Sequence, residues 1–395
     1  MLCIAAILFT VPFARSMQKL VYSTVGKEFF TYTVFFSVCV CLAAALYSLL
    51  FKYRAKNVSQ YIWLFLCAGV YIYYAATLRK YPEEAIHFIE YGLLAYLLFR
   101  ALSVRIRDVT VYMTALVLVA VVGAFDEFIQ WLTPRRVWDY RDVAFNSIAG
   151  LVLLVAIWKA IRPAIISAKV KKYSLKVFAM ALTINLLFLG LCLSNTPDMV
   201  KRYASAPSAL EWLLREETMT EFGYKHTDPE AGIFMSRMTL EEIKKIDTEK
   251  GEDNGRILKI RAAADKAGEA IDSYTPYTNP FLFEFSMHAA RRDEKLEDAE
   301  EAEDPEENIR LNSKAYAENL LLEKYFGNTL RHSGKGWSDE RVKEQEEKAS
   351  LWKKEYTSNV GRVITFIDLK TAWAFILGVI ALAWAPVFLS RKGDV

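Results

Sequence analysis

Apolar residues are concentrated in two parts of the chain, residues 1–193 and 366–390, whereas residues 195–365 have the composition of an ordinary soluble protein. Seven apolar runs are each near the roughly 20 residues that a helix needs to cross a bilayer. They cover residues 30–51, 61–78, 86–102, 109–132, 143–161, 175–193 and 367–390. The pattern predicts an all-α, polytopic transmembrane helical bundle that carries one large hydrophilic insertion.

A shorter apolar run, "LCIAAILFTVPFA", covers residues 2–14. A secretory signal peptide usually has a positively charged segment before its apolar region, and none precedes this run. We expect a short first span, which brings the predicted total to seven or eight. An interfacial helix and a signal-like segment are the alternatives.

The insertion is predicted to be mainly helical. The stretches "LEEIKKIDTEK" and "SDERVKEQEEKASLWKKEY" combine helical periodicity with opposite charges four residues apart. Thr239 followed by Glu242 fits the capping box that begins a helix. The dense acidic run "DEKLEDAEEAEDPEEN" (293–308) is expected to form a solvated, partly disordered loop, with cation binding as the alternative.

The overall composition is too apolar for a soluble protein, with 53% hydrophobic residues and a mean hydropathy of +0.14. The net charge of +3 conceals a division, because the insertion holds 35 of the 46 acidic residues but only 26 of the 49 basic ones. The insertion is therefore acidic, which argues against nucleic-acid binding. All five cysteines lie in apolar segments, so neither a disulfide framework nor a cysteine metal site is predicted.

Lysine and arginine in the short loops predict the orientation of the chain. Basic residues are more numerous in the loops around 52–56, 100–107 and 159–176 than in the loops between them. Because basic loops remain in the cytoplasm, the insertion is predicted to be extracytoplasmic. We expect a multi-pass protein of a bacterial inner (cytoplasmic) membrane.

Three predicted spans carry unusual polar residues near their ends. The candidate residues are His87, Tyr91, Asp126, Glu127, Gln130, Arg135, Arg136, Asp142 and Asn146. They lie at the entry of one span, the exit of the next and the entry of the third, so antiparallel packing places all of them at one membrane surface. The insertion leaves the bundle at that same surface.

Two interpretations of these residues remain open. In the first, the carboxylates pair with Arg135, Arg136 and Arg141 and hold the 132–142 hairpin together. In the second, they form a pocket for a polar head group or a small ligand. Ionisable residues inside a membrane are costly and usually face the bundle interior, where they find partners.

The stretch "DEFIQWLTPRRVWDYRDVAFNSIAG" resembles the signature of VanZ-like membrane proteins, in which an Asp-Glu pair is followed by Gln, Arg, Asp, Asn and Gly at similar spacing. "HFIEYGLLAYLLFRAL" is similar to an earlier helix of that family, with His87 and Tyr91 at the matching places. The resemblance covers residues 60–161. It departs from the family at "TPRRVWDY", where a Pro-Gly-Arg turn is more common, and at Glu84, where a Lys is common.

The resemblance implies a membrane domain without specifying a reaction. The family is named for low-level resistance to the glycopeptide teicoplanin, which implies a role in the cell envelope. The chain then divides into five parts: N-terminal transmembrane segments at 1–59, a VanZ-like core at 60–161, an additional transmembrane helix at 162–194, the hydrophilic domain at 195–365 and a C-terminal transmembrane helix at 366–395.

Three hypotheses for function follow. The first is a non-enzymatic protein that binds an envelope lipid or a lipid-linked saccharide, with Arg135 and Arg136 pairing with phosphate. The second is an enzyme acting on lipid head groups, with His87 or Glu127 as general acid or base and a divalent cation held by carboxylates. The third is a scaffold whose 195–365 domain docks a protein partner. The first is favoured, and it requires no cofactor.

Glu284 and His288 form a further candidate pair within the insertion. Their spacing of four residues can place two ligands on one helix face, but no second metal-binding pair accompanies them. We expect an amphipathic helix with these polar residues on its outer side, continued by Arg291, Arg292 and Asp293.

Overall fold

The structure is a computed structural model that describes residues 2–26, 28–77, 82–133, 136–205, 208–215, 218–266, 274–276, 278–352, 354–361 and 364–389. The chain divides into two compact units, one made of Met1–Cys192 with Ala372–Val395 and the other of Leu193–Thr371. Helices dominate both units, and the strands are few and short. The predicted all-α class is confirmed.

The first unit is a bundle of long apolar helices. Its helices are α1 (Leu2–Thr10), α2 (Ala14–Thr24), α3 (Glu28–Tyr47), α4 (Val58–Thr77), α5 (Pro82–Leu102), α6 (Thr110–Trp131), α7 (Tyr140–Val155), α8 (Lys172–Leu193) and the C-terminal α15 (Leu369–Leu389). Within the described residues, seven helices are long and apolar enough to cross a membrane. They correspond to the seven runs predicted from the sequence.

The N-terminal run is helical but bent. Helix α1 continues into a short 3-10 turn at Val11–Phe13, and residues 16–24 then run at 80° to residues 3–13. The bend follows Pro12, whose ring lacks the N–H group that would continue a helix. This bent pair is an eighth candidate span if both halves are counted as one.

Helices α5, α6 and α7 form the core of this unit. Tyr91, Ala95, Ala115, Val119 and Ala149 on these helices are fully buried. Close approach depends on glycine, because a Cβ atom at Gly150 of α7 would lie 2.9 Å from Cγ1 of Val119 on α6. Val119 is β-branched and cannot easily turn away.

Replacing Gly150 with alanine should therefore destabilise the bundle. We expect Gly150→Ala to cost about 1–3 kcal/mol of unfolding free energy through overpacking. Gly69→Ala on α4 is the matched control, since a Cβ atom there meets nothing within 4 Å. Thermal unfolding of both variants in detergent checks this, and equal melting temperatures would contradict the close α6–α7 contact.

A buried carboxylate, Asp108, organises the loop between α5 and α6. It accepts hydrogen bonds from the Thr110 N–H group (3.0 Å) and hydroxyl (2.6 Å) and from the Lys171 N–H group (3.2 Å). Burial alone would raise the pKa of Asp108, but these bonds and one from Ser174 hold it below its ordinary value. The loop before α6 is thereby joined to the start of α8.

The second unit is mainly helical with two small sheets. Its helices are α9 (Pro197–Ala204), α10 (Leu240–Lys266), α11 (Pro280–Glu301), α12 (Pro305–Tyr325), α13 (Gly327–Ser333) and α14 (Asp339–Ser350). Strands β2 (Tyr224–Asp228) and β3 (Gly232–Ser236) form an antiparallel hairpin, while β1 (Glu221–Phe222) pairs in parallel with β4 (Ile364–Thr365). The capping box at Thr239 and Glu242 is confirmed and begins α10.

Two expectations for this unit are wrong. The acidic run 293–308 is not a loop, because α11 continues to Glu301 and α12 begins at Pro305. Lys295 stabilises α11 by pairing with Asp298 at 2.7 Å, and Leu296 and Ala299 are buried on the inner face of that helix. Glu284, His288 and Arg292 are not on the outer side either, since all three are buried.

Buried polar partners explain this burial. Nδ1 of His288 lies 2.6 Å from Oε2 of Glu318, a carboxylate of α12. The other oxygen of Glu318 accepts from the hydroxyls of Tyr356 and Ser358, both at 2.6 Å. Residues 356–358 also pair with β3, because Ile233 exchanges backbone hydrogen bonds with Tyr356 and Ser358, each at 2.8 Å. Glu318 therefore connects α11, α12 and the 356–358 segment.

This arrangement predicts acid sensitivity. Burial alone would raise the pKa of Glu318, but His288, Ser358 and Tyr356 hold it below its ordinary value of 4.5. A lowered folded-state pKa stabilises the fold above about pH 4.5, and this stability is lost as the pH falls further. We expect the protection of the α11 and α12 amides against hydrogen exchange, relative to their intrinsic rates, to fall below pH 4.5 and Glu318→Gln to remove much of that dependence. Glu346→Gln, an exposed change, should retain it, and equal pH profiles for both variants would contradict the assignment.

Candidate functional site

The last two turns of α6 bury three polar side chains. Asp126 and Glu127 are each 1% exposed, and Gln130 is 7% exposed. Gln130 follows Glu127 by three residues and Asp126 by four, so one side of the helix end carries all of them. Helices α5 and α7 pack against α6 and supply the groups that they meet.

Asp126 binds a tyrosine of the neighbouring helix. The Tyr91 hydroxyl of α5 donates a hydrogen bond to Oδ2 of Asp126 at 2.8 Å. Gly123, one turn earlier on α6, leaves space for both neighbours. A Cβ atom there would lie 3.4 Å from Cβ of Asn146 on α7 and 3.6 Å from the Tyr91 ring. Tyr91 and the buried Asn146 therefore meet α6 at the same level.

Both carboxylate oxygens of Glu127 are held. Nε2 of Gln130 donates to Oε1 at 2.7 Å, and the Asp139 N–H group donates to Oε2 at 3.1 Å. Asp139 in turn caps α7, where its Oδ1 accepts from the Arg141 N–H group at 2.9 Å. The hairpin between α6 and α7 is thus fixed to the buried carboxylate.

Arg136 reaches the same cluster from the hairpin. Its guanidinium donates to Oε1 of Gln130 and, at 3.5 Å, to the backbone carbonyl of Val11. Arg136 also attracts the Asp126 carboxylate electrostatically. The Val11 contact was not predicted, because a backbone carbonyl has no signature in the sequence.

His87 approaches the cluster from α5. Its Nδ1 atom lies 3.3 Å from Oε2 of Glu90, and its ring centroid is 6.5 Å from that of Tyr91. His87 also interacts electrostatically with Asp126 and Glu127. It is half-buried and lies at the edge of the cluster.

A family model matches the part of the chain that contains this cluster. The VanZ/LLP1 family model matches residues 2–162. Residues 2–162 are similar to this family, and we refer to them as the VanZ/LLP1 domain. No curated protein and no solved structure gives a significant match to the chain.

The VanZ/LLP1 domain extends further toward the N-terminus than residues 60–161, where the resemblance was traced. The added part contains the bent helices α1 and α2, and Val11 from this part contacts Arg136. Residues 2–59, which were expected to form N-terminal transmembrane segments, lie within the family match. The residues after 162 lie outside the match.

The remaining predicted residues of the VanZ/LLP1 domain differ in position. Asp142 is exposed in the first turn of α7 but close enough to Glu127 to repel it electrostatically. Arg135 lies outside the described residues. Arg141 pairs with Asp139 at 2.9 Å, as the pinning interpretation expects, although the Arg141 side chain is exposed.

Sequence reasoning missed Trp138. This residue is 1% exposed and precedes Asp139, whose N–H group binds Glu127. Its ring packs edge-on against Tyr140, with centroids 5.1 Å apart. No acceptor among the described residues pairs with its buried Nε1 atom. Tryptophan in a membrane protein suggests an interfacial position, but the sequence does not show that its N–H group points inward.

The cluster is rich in hydrogen-bond acceptors. Asp126 and Glu127 are buried, and Glu90 and Asp142 interact with them electrostatically, whereas Arg136 contributes a cation and His87 an imidazole. Such a set suits a ligand that carries hydroxyl or amino groups beside an anionic group. In the described parts of the chain, no group of three His, Cys, Asp or Glu side chains is arranged to hold a metal ion.

Proposed function

We propose that the VanZ/LLP1 domain binds the polar head group of a membrane amphiphile, an envelope lipid or a lipid-linked saccharide, in this cluster. The observation that carries the proposal is the burial of two adjacent carboxylates, Asp126 and Glu127, at the end of α6, followed by a hairpin that buries the unpartnered N–H group of Trp138. Burying ionisable groups in a membrane bundle is costly, and such groups often mark functional sites.

The level of the cluster supports a head group over other ligands. Its residues occupy the last turns of α6 and the first turns of α7, which are the ends of two candidate spans. Span ends lie near the polar region of a bilayer, where lipid head groups are found. A lipid can therefore place its head group at the cluster while its acyl chains remain in the apolar region.

Pinning of the helices does not require all of these groups. Hydrogen bonds between membrane helices contribute only about 0.6 kcal/mol each on average, which is little compared with the cost of burying two ionisable groups. The Asp139 contact with Glu127 already fixes the hairpin. Trp138 contributes nothing to pinning through its N–H group, which is left available for a ligand.

The proposed head group combines hydrogen-bond donors with an anionic group. Asp126 and Glu127 would accept from its hydroxyl or amino groups. Arg136, together with its sequence neighbour Arg135, would attract its phosphate, because arginine matches phosphate geometry. Trp138 would donate a further hydrogen bond.

We also propose that the cluster faces the outer leaflet of a bacterial inner membrane. The basic loops around 52–56, 100–107 and 159–176 support this orientation. Residues 195–365 would then be extracytoplasmic, and the function would concern the envelope or glycopeptide resistance. Labelling of an Asp253→Cys variant by an impermeant maleimide in spheroplasts tests the orientation. Labelling only after lysis would contradict it.

The binding proposal is tested by lipid selectivity. Native mass spectrometry of the purified protein compares lipids with equal acyl chains and different head groups. We expect retention of phosphatidylethanolamine or phosphatidylglycerol over phosphatidylcholine, whose head group has a phosphate but no N–H or O–H donor. Equal retention of all head groups would argue against recognition by the carboxylates.

A further inference from the structure

A polar cavity lies within the second unit, in a part of the chain that the proposed function does not use. It has a volume of about 380 Å³ and lies between α11, α12 and α14. Cavities that bind small ligands occupy roughly 300–1,000 Å³. The cavity is therefore large enough for a small molecule.

Two buried amide side chains line this cavity. Asn312 of α12 and Gln345 of α14 are each 4% exposed. Asn312 uses its Nδ2 group internally, donating to the carbonyl and side-chain oxygens of Asn308, both at 2.9 Å. Oε1 of Gln345 is buried, and no donor among the described residues reaches it. A buried amide oxygen without a donor is uncommon in folded proteins.

The charges around the cavity leave further acceptors unused. Glu344 is paired with Lys348 at 2.6 Å, and the Arg341 guanidinium lies over the Trp337 ring, 5.6 Å from its centroid. Glu300 and Glu340 also line the cavity, and no described residue forms an ion pair with either. The groups left available are an amide oxygen, two carboxylates and the guanidinium of Arg341. With Glu344 and Lys348 included, the lining carries three acidic and two basic side chains and is therefore acidic.

We propose that this cavity binds a small organic cation of the alkylammonium class. Its N–H groups would donate to Oε1 of Gln345, and its positive charge would be attracted by Glu300 and Glu340. A neutral polar ligand would satisfy the amide but would gain nothing from the carboxylates. An anion would be repelled by them.

The test compares two ligands of equal length that differ in charge. Putrescine carries ammonium groups where 1,4-butanediol carries hydroxyls. Isothermal titration calorimetry of the full-length protein in detergent should show saturable binding of putrescine and none of 1,4-butanediol. Equal binding of both, or the absence of saturable binding by putrescine, would overturn the proposal.

Variants locate the binding in the cavity. We expect Gln345→Leu and Glu340→Gln each to weaken putrescine binding about tenfold, the effect of losing one charge-assisted hydrogen bond. Glu347→Gln removes an exposed charge from the same helix but outside the cavity, and it should bind like the unmodified protein. Unfolding curves confirm that each variant is folded. A folded Gln345→Leu variant with unchanged affinity, or equal weakening by Glu340→Gln and Glu347→Gln, would overturn the assignment.

Discussion

Replacing Arg237 with methionine is expected to destabilise the second unit by about 3–5 kcal/mol, the usual cost of removing one partner from a buried ion pair. Arg237 is nearly buried and contacts two carboxylates, with Nη2 2.7 Å from Oε1 of Glu221 and Nη1 3.1 Å from Oε1 of Glu284. Glu284 also accepts from the Ser236 hydroxyl at 2.6 Å. The Arg237→Met variant would leave both carboxylates buried without a cation.

Hydrogen exchange of β1, β3 and α11 in the full-length protein measures this effect. Arg256→Met is the matched control, because Arg256 pairs with Glu252 on the exposed side of α10. An exposed pair at this spacing contributes about 0.3–0.5 kcal/mol. If the two variants lost similar stability, the Arg237 ion pairs would contribute no more to the stability of the second unit than an exposed pair does.

The double change of Asp126→Asn with Glu127→Gln is expected to weaken head-group retention by roughly 10- to 100-fold, since hydrogen bonds to charged groups contribute about 1.5–3 kcal/mol. The fold should survive, because the new amide oxygens still accept from the Tyr91 hydroxyl and from the Asp139 N–H group. Native mass spectrometry with the lipids named above measures the loss.

Asp108→Asn serves as the control for a purely structural carboxylate. Asp108 is buried in the same VanZ/LLP1 domain, but its partners are backbone and hydroxyl groups of the α5–α6 loop and the start of α8. We expect a loss of about 1–3 kcal/mol in stability with unchanged lipid retention. If the Asp126 and Glu127 double variant behaved in the same way, the cluster would be a structural element only.

The spans and the polar cluster were predictable because both depend on local patterns. Apolar runs of span length fix the helices, and the spacing of Asp126, Glu127 and Gln130 places them on one side of α6. Antiparallel packing then brings Tyr91 and Asn146 to the same level, as the contacts at Gly123 show.

The remaining features depend on contacts between residues far apart in the chain. Arg136 binds a carbonyl 125 positions away, and Arg237 and His288 bind carboxylates 47 and 30 positions away. The local pattern predicted an exposed helix face for Glu284 and His288, because the partners that bury them are distant in sequence. Trp138 is buried although it lies in the connection between α6 and α7, and no local pattern predicts that burial.

The most direct test of head-group binding is a cryo-electron microscopy map of the protein in nanodiscs that contain its co-purified lipids. Binding predicts head-group density within about 3.5 Å of Trp138 Nε1 or the Asp126 and Glu127 carboxylates. That density should be missing from the Asp126→Asn, Glu127→Gln variant. A map in which lipids contact only apolar helix faces, and the cluster side chains contact only one another, would contradict the proposed function.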